Sequence, residues 1–283
     1  MQILFNELLK DYTNYKIGGK TPKLYIIDKI TDLNEISNKD LKEAYILGGG
    51  TNILVSDKGV DNPVIKIEIK KFILDELNST LTIGSGYILN EAAKQIAELG
   101  FKGLSHVSGI PGTIGGAVIM NASASHGSIS DNLLSVEVYN KETRERKIFT
   151  KDECKFGFRQ SIFQNNKWII TFVTFGLIKS DSEELLKLYK EINDYREKNY
   201  PLTFPSAGCW FKRDWGGKEI IKKIGMIGRS EGEAVVSSMF PAFILNTGNA
   251  TAKDVYSLVK QIQDKAKEIN EEMPCEIVIW GNI

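Results

Sequence analysis

The sequence predicts an α+β protein in which two glycine-rich loops and their flanking strands come first and a helix, loop and helix segment follows. Three observations carry that class. Residues 103–121 read GLSHVSGIPGTIGGAVIMN, with Gly109, Gly112, Gly115 and Gly116 spaced through a run that holds Ile110, Pro111, Thr113 and Ala117 and ends at Asn121. Glycine lacks a Cβ, so this backbone can take positive φ and approach a ligand, and successive exposed N–H groups make a concave nest for phosphate. A second loop, Gly48-Gly49-Gly50-Thr51-Asn52, lies between the apolar Tyr45-Ile46-Leu47 and Ile53-Leu54-Val55, the pattern of strand, glycine turn and short apolar segment. Helical periodicity is concentrated later in the chain. One glycine cluster alone reads more readily as a tight loop between buried elements; the second loop tips the balance toward a ligand. Neither loop carries the Gly-Lys-Ser/Thr end of a Walker loop or the G-x-G-x-x-G spacing of a Rossmann turn, so the expected fold is a dinucleotide-binding one of another type.

Taken in order, residues 11–20 place Tyr15 and Ile17 ahead of a Gly18-Gly19 turn into a strand over 23–27. Residues 64–69, VIKIEI, alternate as a strand with one exposed face, which completes a small α/β region. A strand over 81–83 and a Gly84-Ser85-Gly86 turn lead to a helix over 91–99, with Asn90 as N-cap and Gly100 just past its end. Ala92, Ala93, Ile96 and Ala97 give it a small inner face. Strands are expected over 134–139 and 168–178, with a charged hairpin over 141–147 between them. Ser180-Asp181-Ser182-Glu183 is a capping-box pattern that opens a helix running to Asn199, striped by Leu185, Tyr189 and Ile192 and ended by Pro201 and Pro205. The last domain boundary falls near there. A short helix over 218–224 closes at Gly225, Thr251 to Asp254 caps a last amphipathic helix, and 276–280 is a closing strand.

Composition narrows the function. The chain has 283 residues and is 42% hydrophobic, enough for a sizeable core and two or three domains. Lys plus Arg equals Asp plus Glu at 36 each, so no global field favours nucleic acid or a membrane surface. Cys154, Cys209 and Cys275 cannot all pair and match no zinc spacing, which fits a reducing cytosol. His106 and His126 have no partner at metal or nucleophile spacing and read as loop or packing residues. The first residues, MQILF, are soon interrupted by Asn6, Glu7 and Lys10, against a signal peptide, and no uncharged apolar run spans a membrane. A cytoplasmic protein without membrane insertion is expected.

The ordered set LGGGTNILV, GIPGTIGGAVIMN and FGFRQSIF closely resembles the bacterial UDP-N-acetylenolpyruvoylglucosamine reductases, over about Thr13 to Gly281. That resemblance implies a two-part FAD-binding module of the vanillyl-alcohol-oxidase type followed by a C-terminal α/β substrate-binding domain. The implied domains are 1–70 and 71–180 for FAD and 181–283 for substrate, in the smaller of the family's two architectures. It also implies non-covalent FAD, NADPH as reductant, UDP-N-acetylglucosamine enolpyruvate as substrate, a role in peptidoglycan precursor synthesis, and a monomer. Cofactor contacts are carried over to Tyr15, Ile17, Gly48, Gly49, Gly50, Thr51, Asn52, Gly109 to Thr113, Gly115, Gly116, Ala117 and Asn121.

The resemblance also assigns chemistry, each time against a plainer reading. Arg159 lies between aromatics, where a lone arginine ordinarily stacks or solvates; the family has a catalytic arginine there. Cys209 in Ala207-Gly208-Cys209-Trp210-Phe211-Lys212 falls where the family has its proton-donating serine, although cysteine is usually a small buried hydrophobe. Glu276 falls on the catalytic glutamate. Lys212 and Asn246 fall on substrate-contact positions. The chain departs from the family at Ser123 (usually glycine), Ser125 (usually aromatic) and Phe240-Pro241 (usually His-Ala). Two rivals remain: a flavin oxidoreductase of this fold with another substrate, and a silent nucleotide-binding module.

Overall fold

The computed structural model describes residues 1–124 and 126–283; Ser125, one of the departures just named, lies outside the described residues. The chain forms two compact units, and neither is continuous in sequence: the first comprises 1–4, 24–49 and 62–196, the second 5–23, 50–61 and 197–283.

The first unit is built on two sheets with separate cores. In the smaller, Leu24 to Ile27 of the strand Lys20–Ile27 runs parallel to Val64–Ile67, which runs parallel to Tyr45–Leu47. Ile27, Leu33, Leu41 and Ile65 fill its core. The larger sheet is antiparallel, in the order Arg146–Thr150, Leu133–Asn140, Trp168–Gly176, Thr80–Gly84, Phe72–Asp75. Against it pack the helices Leu89–Glu98 and Ile114–Ile119, and the small inner face of Ala92, Ala93, Ile96 and Ala97 is buried as expected. The hairpin turn clasps the smaller core: Tyr139 donates to Asn34 Oδ1 at 2.8 Å, Lys141 Nζ to the Ala44 carbonyl at 2.8 Å, and Arg144 to the Ile36 carbonyl at 2.7 Å.

The second unit holds an antiparallel sheet of Ser230–Glu231, Ala234–Val236 and Ile244–Asn246 and the helices Lys218–Lys223 and Ala252–Lys267. Val278–Trp280 pairs in parallel with Ile53–Val55. Thr251 and Asp254 form the expected capping box, and the Asp57 carboxylate accepts the next two N–H groups, from Ala252 and Lys253, at 2.9 and 3.3 Å.

Four local expectations are corrected. Asn90 is not an N-cap, because the helix already starts at Leu89, with the Ala92 N–H bonded to the Ile88 carbonyl. The helix Ser182–Asn199 is capped by Asp181, which accepts the Glu184 N–H at 2.9 Å, rather than by Ser180. The long strand stops at Gly176, and Ile178–Lys179 turns away to pair with Phe101–Lys102. The closing strand begins at Val278, so Glu276 precedes it. Among the described residues no helix is long and apolar enough to cross a membrane.

Candidate active site

In the first unit the two glycine loops lie against each other. A Cβ on Gly49 would sit 2.8 Å from Gly112 Cα, and one on Gly48 would sit 2.6 Å from Thr113 Oγ1. Glycine is required at 48 and 49 because another backbone comes close, not only for a ligand. Gly109 (φ +75°) and Gly112 (φ +114°) take the left-handed conformations expected of such a loop. Gly115 and Gly116 do not belong to a nest. They form the first turn of Ile114–Ile119, where Thr113 is the N-cap and accepts the Gly116 N–H at 3.4 Å. The Ile114 and Gly115 N–H groups donate to the Tyr87 and Ser85 carbonyls at 2.9 and 2.8 Å. The helix start is thus satisfied by protein, and Gly115 packs on Ser85, where a Cβ would be 2.8 Å from the Ser85 Cβ. Ala117 is buried on that helix. The glycines at 48, 49, 109 and 112 are the candidates in this unit to hold a cofactor's phosphates. At the other end of Ile114–Ile119 the buried Asn121 holds the Gly157 carbonyl through Nδ2 at 3.0 Å, while its Oδ1 has no hydrogen-bond donor and is an acceptor open to a ligand.

Arg159 stands in the same unit, on a turn in which it takes φ +52°. Ser161 ties that turn to the helix end through the Ile119 carbonyl at 2.7 Å, and Gln164 holds the Arg159 carbonyl at 3.0 Å. The guanidinium donates to Ser123 Oγ at 2.9 Å and lies 5.6 Å from the Phe158 ring centre. Ser123 is the residue that sequence reasoning passed over; its only signal was that it departs from the family glycine. Neither His106, which bonds the Ser128 carbonyl at 2.8 Å, nor any other described group builds a metal cluster.

In the second unit the segment around Cys209 is an extended stretch held on both sides. Cys209 bridges to Phe243 and Phe211 to Cys275, while the Trp210 carbonyl accepts the Glu276 N–H at 2.8 Å. Cys209 and Glu276 are therefore brought onto backbones adjoining Trp210, both half-buried. Asn52 joins them, its Nδ2 reaching the Glu276 carbonyl at 3.4 Å and its carbonyl accepting the Val278 N–H at 3.1 Å. Cys209 packs against a cluster in which Tyr200 and Phe240 stack at 4.8 Å and Phe243 meets both edge-on. Phe240, in place of a histidine, thus makes the wall beside the thiol apolar. Gly50 meets the Tyr12 carbonyl closely, and Thr51 is half-buried. Lys212 donates its backbone N–H to the Pro274 carbonyl at 2.7 Å and keeps a half-exposed side chain.

Three expected contact residues have other duties. Tyr15 is fully buried; its hydroxyl donates to the Ile244 carbonyl at 2.6 Å and accepts from Trp210 Nε1 at 3.0 Å. Burial pushes its phenol far above the usual range. Ile17 is buried in the same core. Asn246 donates to the Tyr15 carbonyl at 3.0 Å and accepts the Gly248 and Ala250 N–H groups at 3.1 and 3.0 Å. Its side chain braces the core.

Comparison with known proteins gives this arrangement its class. Residues 27–147 match the FAD binding domain family, and residues 200–280 match the C-terminal domain of UDP-N-acetylenolpyruvoylglucosamine reductase. The chain is an FAD-dependent oxidoreductase. It is 36% identical to the UDP-N-acetylenolpyruvoylglucosamine reductase of Caldanaerobacter subterraneus, over 99% of this chain and 94% of that protein. It is 34% identical to that of Alkaliphilus oremlandii, over 99% and 93%. The crystal structure of the Thermus caldophilus reductase superposes with a TM-score of 0.84 at 30% identity, covering 99% of this chain and 98% of that one. The chain belongs to the UDP-N-acetylenolpyruvoylglucosamine reductase family, whose reaction is a step of peptidoglycan biosynthesis.

Proposed function

We propose that the chain reduces the enolpyruvyl ether of UDP-N-acetylglucosamine to UDP-N-acetylmuramate with NADPH as electron source, as a cytoplasmic monomer, and that Cys209 supplies the proton. Gly48 to Asn52 and Gly109 to Thr113 would hold FAD, which would supply hydride transfer from NADPH to the terminal carbon of the enolpyruvyl group. As that carbon gains hydride, negative charge develops on its neighbour and spreads into the carboxylate. Arg159 and Glu276, the latter protonated when it acts, stabilise that charge. The Cys209 thiol then gives its proton to the adjacent carbon and is left as thiolate, which solvent reprotonates. Lys212 takes the substrate's carboxylate or diphosphate.

What supports this reading is that Cys209 and Glu276 lie on backbone segments that adjoin at Trp210, whose carbonyl accepts the Glu276 N–H at 2.8 Å, with Cys209 half-buried against an apolar cluster. The test follows flavin absorbance anaerobically through both halves of the reaction. Cys209→Ala should bleach with NADPH like the wild type and then fail to recover on adding substrate. Cys209→Ser should recover and release UDP-N-acetylmuramate. Normal turnover by the alanine variant would remove Cys209 from the reaction. A protein that bleaches and reoxidises with neither substrate nor either variant effect would point to another acceptor.

A further inference from the structure

The glycine loop of the first unit is held from behind by a relay of side-chain amides. The Gly109 N–H donates to Asn90 Oδ1 at 2.7 Å. Asn90 must then present its Nδ2, which donates to Asn193 Oδ1 at 3.1 Å. Asn193 in turn presents its own Nδ2 to the Tyr189 carbonyl at 2.8 Å, one turn back along Ser182–Asn199. An amide has a donor end and an acceptor end, so the main-chain groups at the two ends fix both side chains in one orientation. The space that a Cβ on Gly109 would occupy is filled by the Arg196 side chain, whose Nε lies 3.2 Å from it. The loop is gripped between two helices.

We infer that Asn90 and Asn193 are positioning residues for FAD: the relay sets the shape of the loop that receives the cofactor's diphosphate. A glycine-rich loop is conformationally free, and ordering it before the ligand arrives removes that cost from binding. Asn90 also engages the Gly109 N–H and so decides which loop amides are left to face the phosphates. This rests on reading 109–113 as a cofactor loop.

The experiment strips flavin from the whole protein and titrates FAD back, following quenching of flavin fluorescence, with the melting temperature of each apoprotein measured alongside. Removing one neutral hydrogen bond should weaken FAD binding by about tenfold in Asn90→Ala. Asn90→Asp keeps the acceptor for the Gly109 N–H but sets a carboxylate against Asn193 Oδ1, which the Tyr189 carbonyl holds in place, so it should bind FAD more tightly than Asn90→Ala and less tightly than wild type. Asn193→Ala should also lose affinity, and the Asn90→Ala/Asn193→Ala pair should be no weaker than Asn90→Ala alone, since both act along one path. Gln95→Ala is the control: it lies on the same helix but accepts from Tyr87 at 2.6 Å, away from Gly109. Wild-type affinity in Asn90→Ala, failure of Asn90→Asp to rescue, or an equal loss in Gln95→Ala would overturn the inference. A wild-type apoprotein that takes up no FAD would instead overturn the cofactor-loop reading beneath it.

Discussion

Replacing Asn246 with alanine separates a bracing role from a substrate contact. Asn246 is 3% exposed and makes three hydrogen bonds, to the Tyr15 carbonyl and from the Gly248 and Ala250 N–H groups. Alanine strands all three partners. Gly248 is exposed and can turn to water, but Tyr15 and Ala250 are buried. Leaving a buried polar group unpaired costs about 1–3 kcal/mol. Two such groups, with a smaller loss at Gly248, bring the total to about 3–5 kcal/mol. At about 2–4 °C per kcal/mol for a chain of this size, melting should fall by roughly 10 °C. Asn246→Asp keeps the two acceptor contacts but sets a carboxylate against the Tyr15 carbonyl, so it should restore only part of the loss. The assay pairs a thermal melt with steady-state kinetics at a temperature where both variants are folded. Unchanged melting with a raised KM for the nucleotide sugar would refute the bracing argument and return Asn246 to the substrate.

Ser123→Ala removes the hydroxyl that accepts from Arg159 at 2.9 Å. It should slow flavin reoxidation by substrate about three- to tenfold and leave reduction by NADPH alone, measured by stopped flow; equal slowing of both would show a general defect. Lys141 is buried on the Ala44 carbonyl, and burial lowers its pKa from 10.5 to about 8. Between those two values the unfolded chain binds more protons, so this group's contribution to stability rises with pH there and is flat below pH 8. Lys141→Met should remove that rise, so the wild type should gain on the variant between urea midpoints taken at pH 7 and pH 9.5; a constant difference would exclude the linkage. Burial also pushes the Cys154 thiol up to about 12, and its Sγ donates to the Thr150 carbonyl at 3.2 Å. A thiol reagent at neutral pH should therefore leave Cys154 unmodified until denaturant is added, and native labelling mapped to Cys154 would contradict this.

Much of the architecture was legible locally. The 48–52 loop stood out because apolar triplets flank it, and the Thr251 cap because its acid lies three residues on. Legibility failed where tertiary contacts decide. Gly115 and Gly116 are poor helix formers, and they are helical because Thr113 caps them and the Ser85 and Tyr87 carbonyls take their neighbouring N–H groups. At the long helix two overlapping cap patterns, Ser180 to Glu183 and Asp181 to Glu184, differ by one residue, and nothing local ranks them. Motif position picked out Tyr15 and Asn246, but motifs register what a family keeps and not which way a side chain points. The Ser123 contact with Arg159 is 36 residues distant in sequence and has no periodic signature.

The parallel pairing of Ile53–Val55 with Val278–Trp280 also bears on how the protein is made. A ribosome adding about 5–20 residues per second leaves the early strand waiting on the order of 10–45 s for its partner. Over that interval Leu54 and Val55, fully buried in the finished fold, have no late strand to cover them, and Asp57 has no helix start to cap. The first unit lacks this delay for most of its length, since its strands are complete by Lys179. Nascent chains should thus pass through a stage with one unit formed and an apolar, edge-exposed remnant beside it, the kind of species that chaperones retain.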